Sequence, residues 1–382
     1  MLNVGIIGIG NTGNQIASLA YERLKVPAMA INSSEKDLET ISDNIPKTLI
    51  KDAEGESQGA GKNRTLAKKY LKDSIVSFLS SKDVQEFIKE LDVLFIVSST
   101  GGGTGSGTSL IMANVISSMF VNVHVITIGI LPVMSEALSA HVNTLEYLNE
   151  LYSNLEGQTY MLYDNDSYYD SPSYKMMEIV NNEVVSDIDV LRCTYNYTTK
   201  YDSIDEQDMK RLISFPGRIM IARLEDVKER DLDKSSIEEM LINKIKNNAH
   251  VEIQRDKKVI GTGIIVNLSE AVFSDFDNHI PSVRGFVGDP DHDFNHLVLN
   301  SDRKMPNNIF LIMSGMSQVN DRITKTSDRI EEIEEKQRIR EEENSLETIG
   351  INELTAKISG NDKKVNTATQ VDVASIFSKF GV

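Results

Sequence analysis

The sequence predicts an α/β protein: a parallel-sheet domain in the first half, one long helix leading out of it, and a smaller α+β domain beyond. Three observations carry this. Short β-branched runs alternate with helical patterns between Val4 and Ile128. Glycine-rich loops follow those runs, where a parallel sheet places its ligand loops. From Tyr174 the pattern changes to a single uninterrupted helical period.

The elements follow in order. Val4–Ile7 reads as the first strand, leading through a glycine loop into a helix from about Asn14. Ala28–Ile31 and Val93–Ser98 are further strands, the latter followed by a helix from Thr108, and Val123–Ile128 is another. Residues 1–173 form this domain. Met176, Ile179, Val180, Val184, Ile188 and Leu191 recur at helical spacing, so residues 174–204 comprise a long connecting helix and the loop after it. In the second domain, 205–317, strands are expected at Phe215–Leu224, Val251–Gln254, Gly261–Leu268 and Ile309–Ser314, with a helix at Ser235–Asn247. Asn278–Asn300, rich in Asp, Gly, His and Pro, reads as a loop.

Residues 318–345 form a long charged helix. Asp328–Glu343 alone holds eight acids and four bases over a sparse face of isoleucines, the pattern of a solvated helix. Residues 346–382 read as a flexible tail ending in a short amphipathic, partner-binding peptide made by Val371, Val373, Ile376, Phe377 and Phe380.

Composition bounds the function. With 57 acidic against 40 basic residues in 382, the formal charge is −17, and such a surface repels a phosphate backbone. Direct DNA binding by the main body is disfavoured. The single cysteine, Cys193, supplies neither a disulfide nor a thiolate cluster and reads as a small buried apolar residue in a reducing, cytoplasmic setting. No run approaches the ~18 apolar residues of a membrane span.

Three loops carry the chemistry. Gly8-Ile9-Gly10-Asn11-Thr12-Gly13 satisfies the G-x-G-x-x-G dinucleotide pattern, but the acidic ribose ligand expected ~20 residues on is replaced by Asn32. An NAD-dependent oxidoreductase therefore remains a remote alternative. The second loop is Gly59-Ala60-Gly61-Lys62-Asn63-Arg64. The third, Gly101-Gly102-Gly103-Thr104-Gly105-Ser106-Gly107, packs five glycines into seven residues between a strand and a helix. Each glycine costs backbone entropy, and backbone N–H groups at a helix start bind anions, so the expectation is a phosphate cradle. It is not a Walker loop: Thr108 stands where the lysine belongs.

Gly101–Gly107 resembles the G-G-G-T-G-S-G signature of the tubulin/FtsZ family of GTPases, and Gly10–Ile16 is similar to its G-x-x-G-N-Q-I segment. The resemblance continues in order. Tyr163-Asp164-Asn165-Asp166 followed by Tyr169-Asp170 is similar to a segment whose Asn reads guanine, and Asn182-Glu183-Val184 to an N-[DE]-V motif whose Asn does the same. Asp205-Glu206-Gln207-Asp208 resembles the N-x-D-x-x-D catalytic loop, with Ser203 in place of its Asn. The long polar C-terminal helix and short terminal peptide look most like the TubZ branch, the partition tubulins of plasmids and phages.

This resemblance implies a Rossmann-type GTP-binding domain that takes GTP and GDP, with Mg²⁺ carried by phosphate oxygens and water. The implied nucleotide residues are Gly10, Asn11, Thr12, Gly13, Asn14, Gln15, Asn32, Gly59, Ala60, Gly61, Lys62, Asn63, Gly101, Gly102, Gly103, Thr104, Gly105, Ser106, Gly107, Glu136 for the ribose, and Asn165 and Asn182 for the base. Asp205 and Asp208 are implied to act on a neighbouring subunit's GTP in a head-to-tail filament. The implied partner of the tail is a TubR-like DNA-binding adaptor, and the alternatives within the family are a division-ring GTPase and a phage spindle tubulin.

Overall fold

The computed structural model describes residues 1–154, 157–168, 171–193, 203–232, 236–251, 259–270, 272, 276, 280–299, 306–344 and 377–381. The strands are β1 (Val4–Ile9), β2 (Ala28–Asn32), β3 (Lys47–Leu49), β4 (Val93–Ser99), β5 (His124–Leu131), β6 (Thr159–Asp164), β7 (Gly217–Leu224), β8 (Gly261–Leu268), β9 (His292–Leu299) and β10 (Asn308–Met316). The helices are α1 (Gly10–Leu24), α2 (Glu35–Glu39), α3 (Arg64–Ser80), α4 (Lys82–Lys89), α5 (Thr104–Met119), α6 (Leu138–Asn154), α7 (Ser173–Cys193), α8 (Glu206–Ile213), α9 (Glu229–Leu232), α10 (Ile237–Lys246), α11 (Ile280–Val287) and α12 (Asn320–Asn344).

The strands form one sheet in the order β3-β2-β1-β4-β5-β6-β7-β10-β8-β9. The first six pair in parallel. Alternation along each strand assigns the two faces. Val4 and Ile6 of β1 and Phe95 and Val97 of β4 bury against Ile16, Ala17 and Ala20 of α1 and Val180, Val184 and Ile188 of α7. Ile7, Ile9, Leu94 and Ile96 point the other way, toward Leu71 of α3, the apolar face of α5, and Tyr147 and Leu148 of α6. Because both faces are covered, β1 is buried at every position, the continuous apolar run expected of a parallel strand.

The second half extends this sheet. β6 and β7 pair in parallel only at Thr159↔Gly217 and Tyr160↔Arg218, and β10 then runs antiparallel to β7 and β8. A polar knot backs this join. Asp187 of α7 accepts from the Tyr163 hydroxyl (2.7 Å), lies 2.8 Å from His250 Nε2, and pairs with Arg223 of β7 (2.7 Å). Burial, and then the Asp187 carboxylate, push the Tyr163 hydroxyl far above its ordinary pKa.

Four expectations need correction. α1 begins at Gly10, not near Asn14, and α5 begins at Thr104, not Thr108. The glycines there sit inside helices because their neighbours leave no room: a Cβ on Gly105 would lie 2.9 Å from the Ile9 carbonyl oxygen, and one on Gly107 2.9 Å from that of Arg64. Asn278–Asn300 is not a loop throughout, for it contains α11 and β9. Among the described residues β9 pairs only with β8, at the end of the sheet order, and such an edge accepts the polar side chains that made it look like a loop. Finally, α12 is not solvated along its whole length: Arg322 and Thr326, in its first two turns, are 5% and 0% exposed. The side chain of Cys193, Glu252–Gln254 of an expected strand, the Tyr169-Asp170 pair and most of the tail lie outside the described residues.

Candidate functional site

A cleft of about 450 Å³ opens at the carboxyl ends of β1, β2 and β4, a normal size for a small-molecule site. It gathers Gly10, Asn11, Thr12, Gln15, Asn32, Gly59, Ala60, Gly61, Lys62, Gly101, Gly102, Gly103, Thr104, Gly105, Glu136 and Asn165 from six separate segments of chain. Ser33, Ser34, Asp37, Ser99, Met177 and Asn181 line it as well, without having been singled out by the sequence.

The loops are held by each other. Ser33 and Thr104 hydroxyls meet at 2.6 Å, tying the β2 loop to the start of α5. The Asn143 amide of α6 donates to the carbonyls of Lys62, Gly101 and Gly102 (2.9, 3.2 and 3.2 Å), fixing the second and third glycine loops together. Arg64, 4% exposed, donates to the Ser106 carbonyl at 2.9 Å. Gly59, Gly61 and Lys62 take φ of 84°, 53° and 63°, so this loop turns through left-handed backbone that glycine accepts freely. A Cβ at Gly102 would meet nothing within 4 Å, which leaves space directly above the loop.

Several residues of the implied set serve the scaffold. A Cβ at Gly13 would lie 2.1 Å from the Val97 carbonyl oxygen, so this glycine lets α1 press on β4. Asn14 is 1% exposed and bonds both the N–H and the carbonyl of Ile31 (3.2 and 3.3 Å). Asn63 caps α3 by accepting from Leu66 N–H at 3.0 Å, and Ser106 donates to the Gly102 carbonyl. Asn182 does not line the cleft: its oxygen accepts from Arg23 (2.7 Å) and its amide donates to the Glu178 carbonyl (2.7 Å). The preceding residue, Asn181, faces the cleft with Met177. One residue of register along α7 separates the two asparagines, about 100° around a helix.

At the far wall, Asn165 Oδ1 is buried with no hydrogen-bond partner among the described residues. A buried acceptor left unpaired is costly, so this atom marks where a ligand donor belongs. Its loop is fixed from behind. Asp164 pairs with Arg322 of α12 through Nε (2.7 Å) and Nη2 (3.2 Å). Arg322 also donates to the Pro132 carbonyl at 2.6 Å, and Arg329 to the Met134 carbonyl at 2.9 Å. Asp166 accepts from Met134 N–H at 3.1 Å. The first turns of α12 thus clamp both the Glu136 loop and the Asn165 loop. Burial raises the Asp164 pKa, and Arg322 opposes that rise. Arg322 escaped the sequence because one charged residue in a charged helix carries no distinguishing pattern.

Asp205 and Asp208 are nowhere near this cleft. They cap α8 reciprocally: Asp205 accepts from Asp208 N–H (2.8 Å) and Asp208 from Asp205 N–H (3.2 Å). α8 lies at the amino ends of the strands, where Glu206 is 3.9 Å from the Met1 amino group and Lys210 pairs at 2.8 Å with Asp92, just before β4. At ~3.3 Å per residue, a six-residue strand separates the two ends by about 20 Å.

The comparisons with known proteins fit this geometry. Residues 3–172 match the GTPase domain of the Tubulin/FtsZ family. This chain carries a tubulin/FtsZ GTPase domain. The chain is 28% identical over 149 residues to the tubulin-like protein CetZ of Pyrococcus abyssi, covering 38% of this chain and 40% of that one. The chain thus spans two-fifths of the length of that relative. It is 22% identical over 365 residues, 92% of each chain, to the tubulin-like protein TubZ of Clostridium botulinum C phage. Its fold matches the tail-truncated Clostridium botulinum phage c-st TubZ with TM-score 0.70 at 20% identity, covering 87% of this chain and 98% of that one. It also matches CetZ2 from Haloferax volcanii, described as a GTPγS-bound protofilament, with TM-score 0.72 at 16% identity, covering 88% and 100%. No described helix is long and apolar enough to cross a membrane.

Proposed function

We propose that this chain binds GTP in the cleft, polymerises head to tail, and hydrolyses GTP only where one subunit's α8 meets the next subunit's cleft. The observation that carries this is the separation just described: the cleft lies at one end of the sheet and the paired carboxylates at the other. A copy translated along the strands brings Asp205 and Asp208 to the cleft, and such a heterologous contact propagates as an open filament.

The residues fit a nucleoside triphosphate. Backbone N–H groups of the Gly10 and Gly101–Gly105 loops, with the Thr104 hydroxyl, hold phosphate oxygens, and Lys62 adds a cation at the mouth, 3.9 Å from Glu136. Asn165 Oδ1 accepts from a guanine N–H, with Asn181 beside it. Mg²⁺, carried by the phosphates, would neutralise charge there. Phosphoryl transfer needs positioning more than covalent chemistry, so the carboxylates' task is to orient and polarise the attacking water.

The biological role inferred is segregation of plasmid or prophage DNA through a TubR-like DNA-binding adaptor. It is supported by the likeness to phage TubZ over nearly the whole chain and by an acidic body that does not hold DNA itself.

The test is Asp205→Asn, because Asn caps a helix as well as Asp does but carries no charge. Binding of a fluorescent GTP analogue should be unchanged while steady-state turnover falls by about a hundredfold or more. Turnover at the wild-type rate would show that these carboxylates are not the hydrolytic groups.

A further inference from the structure

Phe377–Gly381, within the tail read from the sequence as a partner-binding peptide, are seated on the GTPase domain. Phe377 and Phe380 are 2% and 4% exposed and belong to the same buried cluster as Leu71 of α3 and Leu151 of α6. The segment is a single helical turn, with Phe380 N–H bonded to the Phe377 carbonyl (2.9 Å) and Gly381 N–H to that of Ser378 (3.2 Å). Gly381 closes it at φ 71°, the left-handed position that ends a helical turn.

Polar contacts fix the seat. Lys68 Nζ donates to the Phe380 carbonyl at 2.6 Å, and Asn154 of α6 donates to the Lys379 carbonyl at 3.0 Å. Both recognise main chain in a defined register, which two apolar rings alone do not specify. Lys68 is 8% exposed, so its ammonium has little access to water and needs acceptors within the protein. Among the described residues these are the Phe380 carbonyl and Glu150, the latter at 2.7 Å. Glu150 holds Arg64 at 2.6 Å, and Arg64 holds the carbonyl of Ser106 in the third glycine loop. Arg64 also begins α3 directly after the second glycine loop. A continuous line of buried charge-assisted bonds therefore joins the terminal turn to both phosphate-side loops.

We infer that the groove between α3 and α6 is a receptor site for the chain's own F-x-x-F-G terminus, and that its occupancy is coupled through Lys68, Glu150 and Arg64 to the nucleotide cleft. The occupant is settled by what sits there. The two phenylalanines fill the groove, the Phe380 carbonyl satisfies the buried lysine, and the 32 residues between Asn344 and Phe377 supply the reach. Release of the turn leaves Lys68 without its carbonyl and frees Glu150 and Arg64 to shift. Ligands that differ in affinity for the two arrangements shift between them. The coupling half of this inference rests on the GTP reading; the docking half does not.

The test uses the full-length protein. A photo-crosslinking residue in place of the exposed Ser378 should, at high dilution and without nucleotide, link within one chain to α3 or α6, mapped by peptide mass spectrometry. Crosslinks between two chains, or to neither helix, would overturn the assignment. A labelled synthetic peptide of residues 369–382 should bind the vacated groove of a Phe377→Ser/Phe380→Ser variant at least about fivefold tighter than wild type, whose groove is filled. Equal binding would contradict it.

Lys68→Met keeps the apolar seat and cuts the relay. It should lower the variant's affinity for the peptide, and adding peptide to a Phe377→Ser/Phe380→Ser/Lys68→Met protein should no longer change nucleotide affinity. In the Lys68-containing variant, peptide should shift the affinity for a fluorescent GTP analogue by about fivefold. An analogue that binds without responding to peptide would refute the coupling alone, whereas an analogue that fails to bind even wild type would refute the GTP reading and leave the docking result standing.

Discussion

The two ends of the sheet are built from different chemistry. At the carboxyl ends of β1, β2 and β4 the lining is glycine, amide and hydroxyl; its two acids are engaged, Glu136 with Lys62 at 3.9 Å and Asp37 with the Asn32 amide at 3.2 Å. At the amino ends, α8 opens with Asp205, Glu206 and Asp208 in one turn. One end has its acids paired and the other leaves three acids together in one turn. A cleft made to hold phosphates cannot keep unpaired carboxylates of its own without repelling its ligand. Placing them about 20 Å away, on a surface only another copy can bring close, resolves that conflict. On the proposed function, assembly then becomes a condition of hydrolysis.

That division can be broken from either side. The largest effect is expected from Gly102→Glu. A Cβ added there has nothing within 4 Å, and the carboxylate it carries brings negative charge to the phosphate space, so nucleotide binding should be lost while the melting temperature stays within about 2 °C of wild type, as for a surface substitution. Asp205→Asn should do the opposite, preserving binding and abolishing most turnover. Next comes Arg322→Ala, which leaves Asp164 buried and unpaired behind Asn165. It should cost about 3 kcal/mol in urea unfolding and weaken binding of the guanine analogue with it.

The smallest effect concerns pH at the amino end. His124 begins β5 and its Nε2 lies 2.7 Å from Thr159 Oγ1 and 3.0 Å from the carbonyl of Ile213 in α8. Burial lowers its pKa, although that backbone bond opposes the shift. The folded state therefore keeps this imidazole neutral where the unfolded chain takes up a proton. Its contribution is present above about pH 6.5 and is lost as pH falls below that value toward the folded pKa. Thermal melts should show stability declining from pH 7 to 5.5 by at most about 1.4 kcal/mol per unit from this group, with a shallower slope in His124→Gln.

The α/β class, the long helix α7 and the position of the cleft were legible because each has a local cause: continuous apolar runs, helical spacing and dense glycine loops directly after strands. What the sequence hid was nonlocal. Gly105 and Gly107 look identical to Gly102, yet they serve helix packing while Gly102 faces open space, a distinction set by Ile9 and Arg64 on other elements. Asn181 and Asn182 are chemically equal, and only the packing of α7 decides which one sees the cleft. Arg322 and Lys68 carry no distinguishing pattern of their own, and their partners, Asp164 and the terminal turn, arrive from far along the chain. β9 was missed because an edge strand is free to be polar.

The central claim is that one hydrolytic site is shared by two chains, and mixing two inactive proteins tests it most directly. Gly102→Glu subunits keep Asp205 and Asp208 but not the cleft; Asp205→Asn subunits keep the cleft but not the full acid pair. Each alone should turn over GTP at no more than about one-hundredth of the wild-type rate. The account predicts that the mixture recovers GTP hydrolysis, because an intact α8 then meets an intact cleft at every junction of the right order. A mixture no more active than the sum of its parts would place the whole reaction within one chain and contradict it.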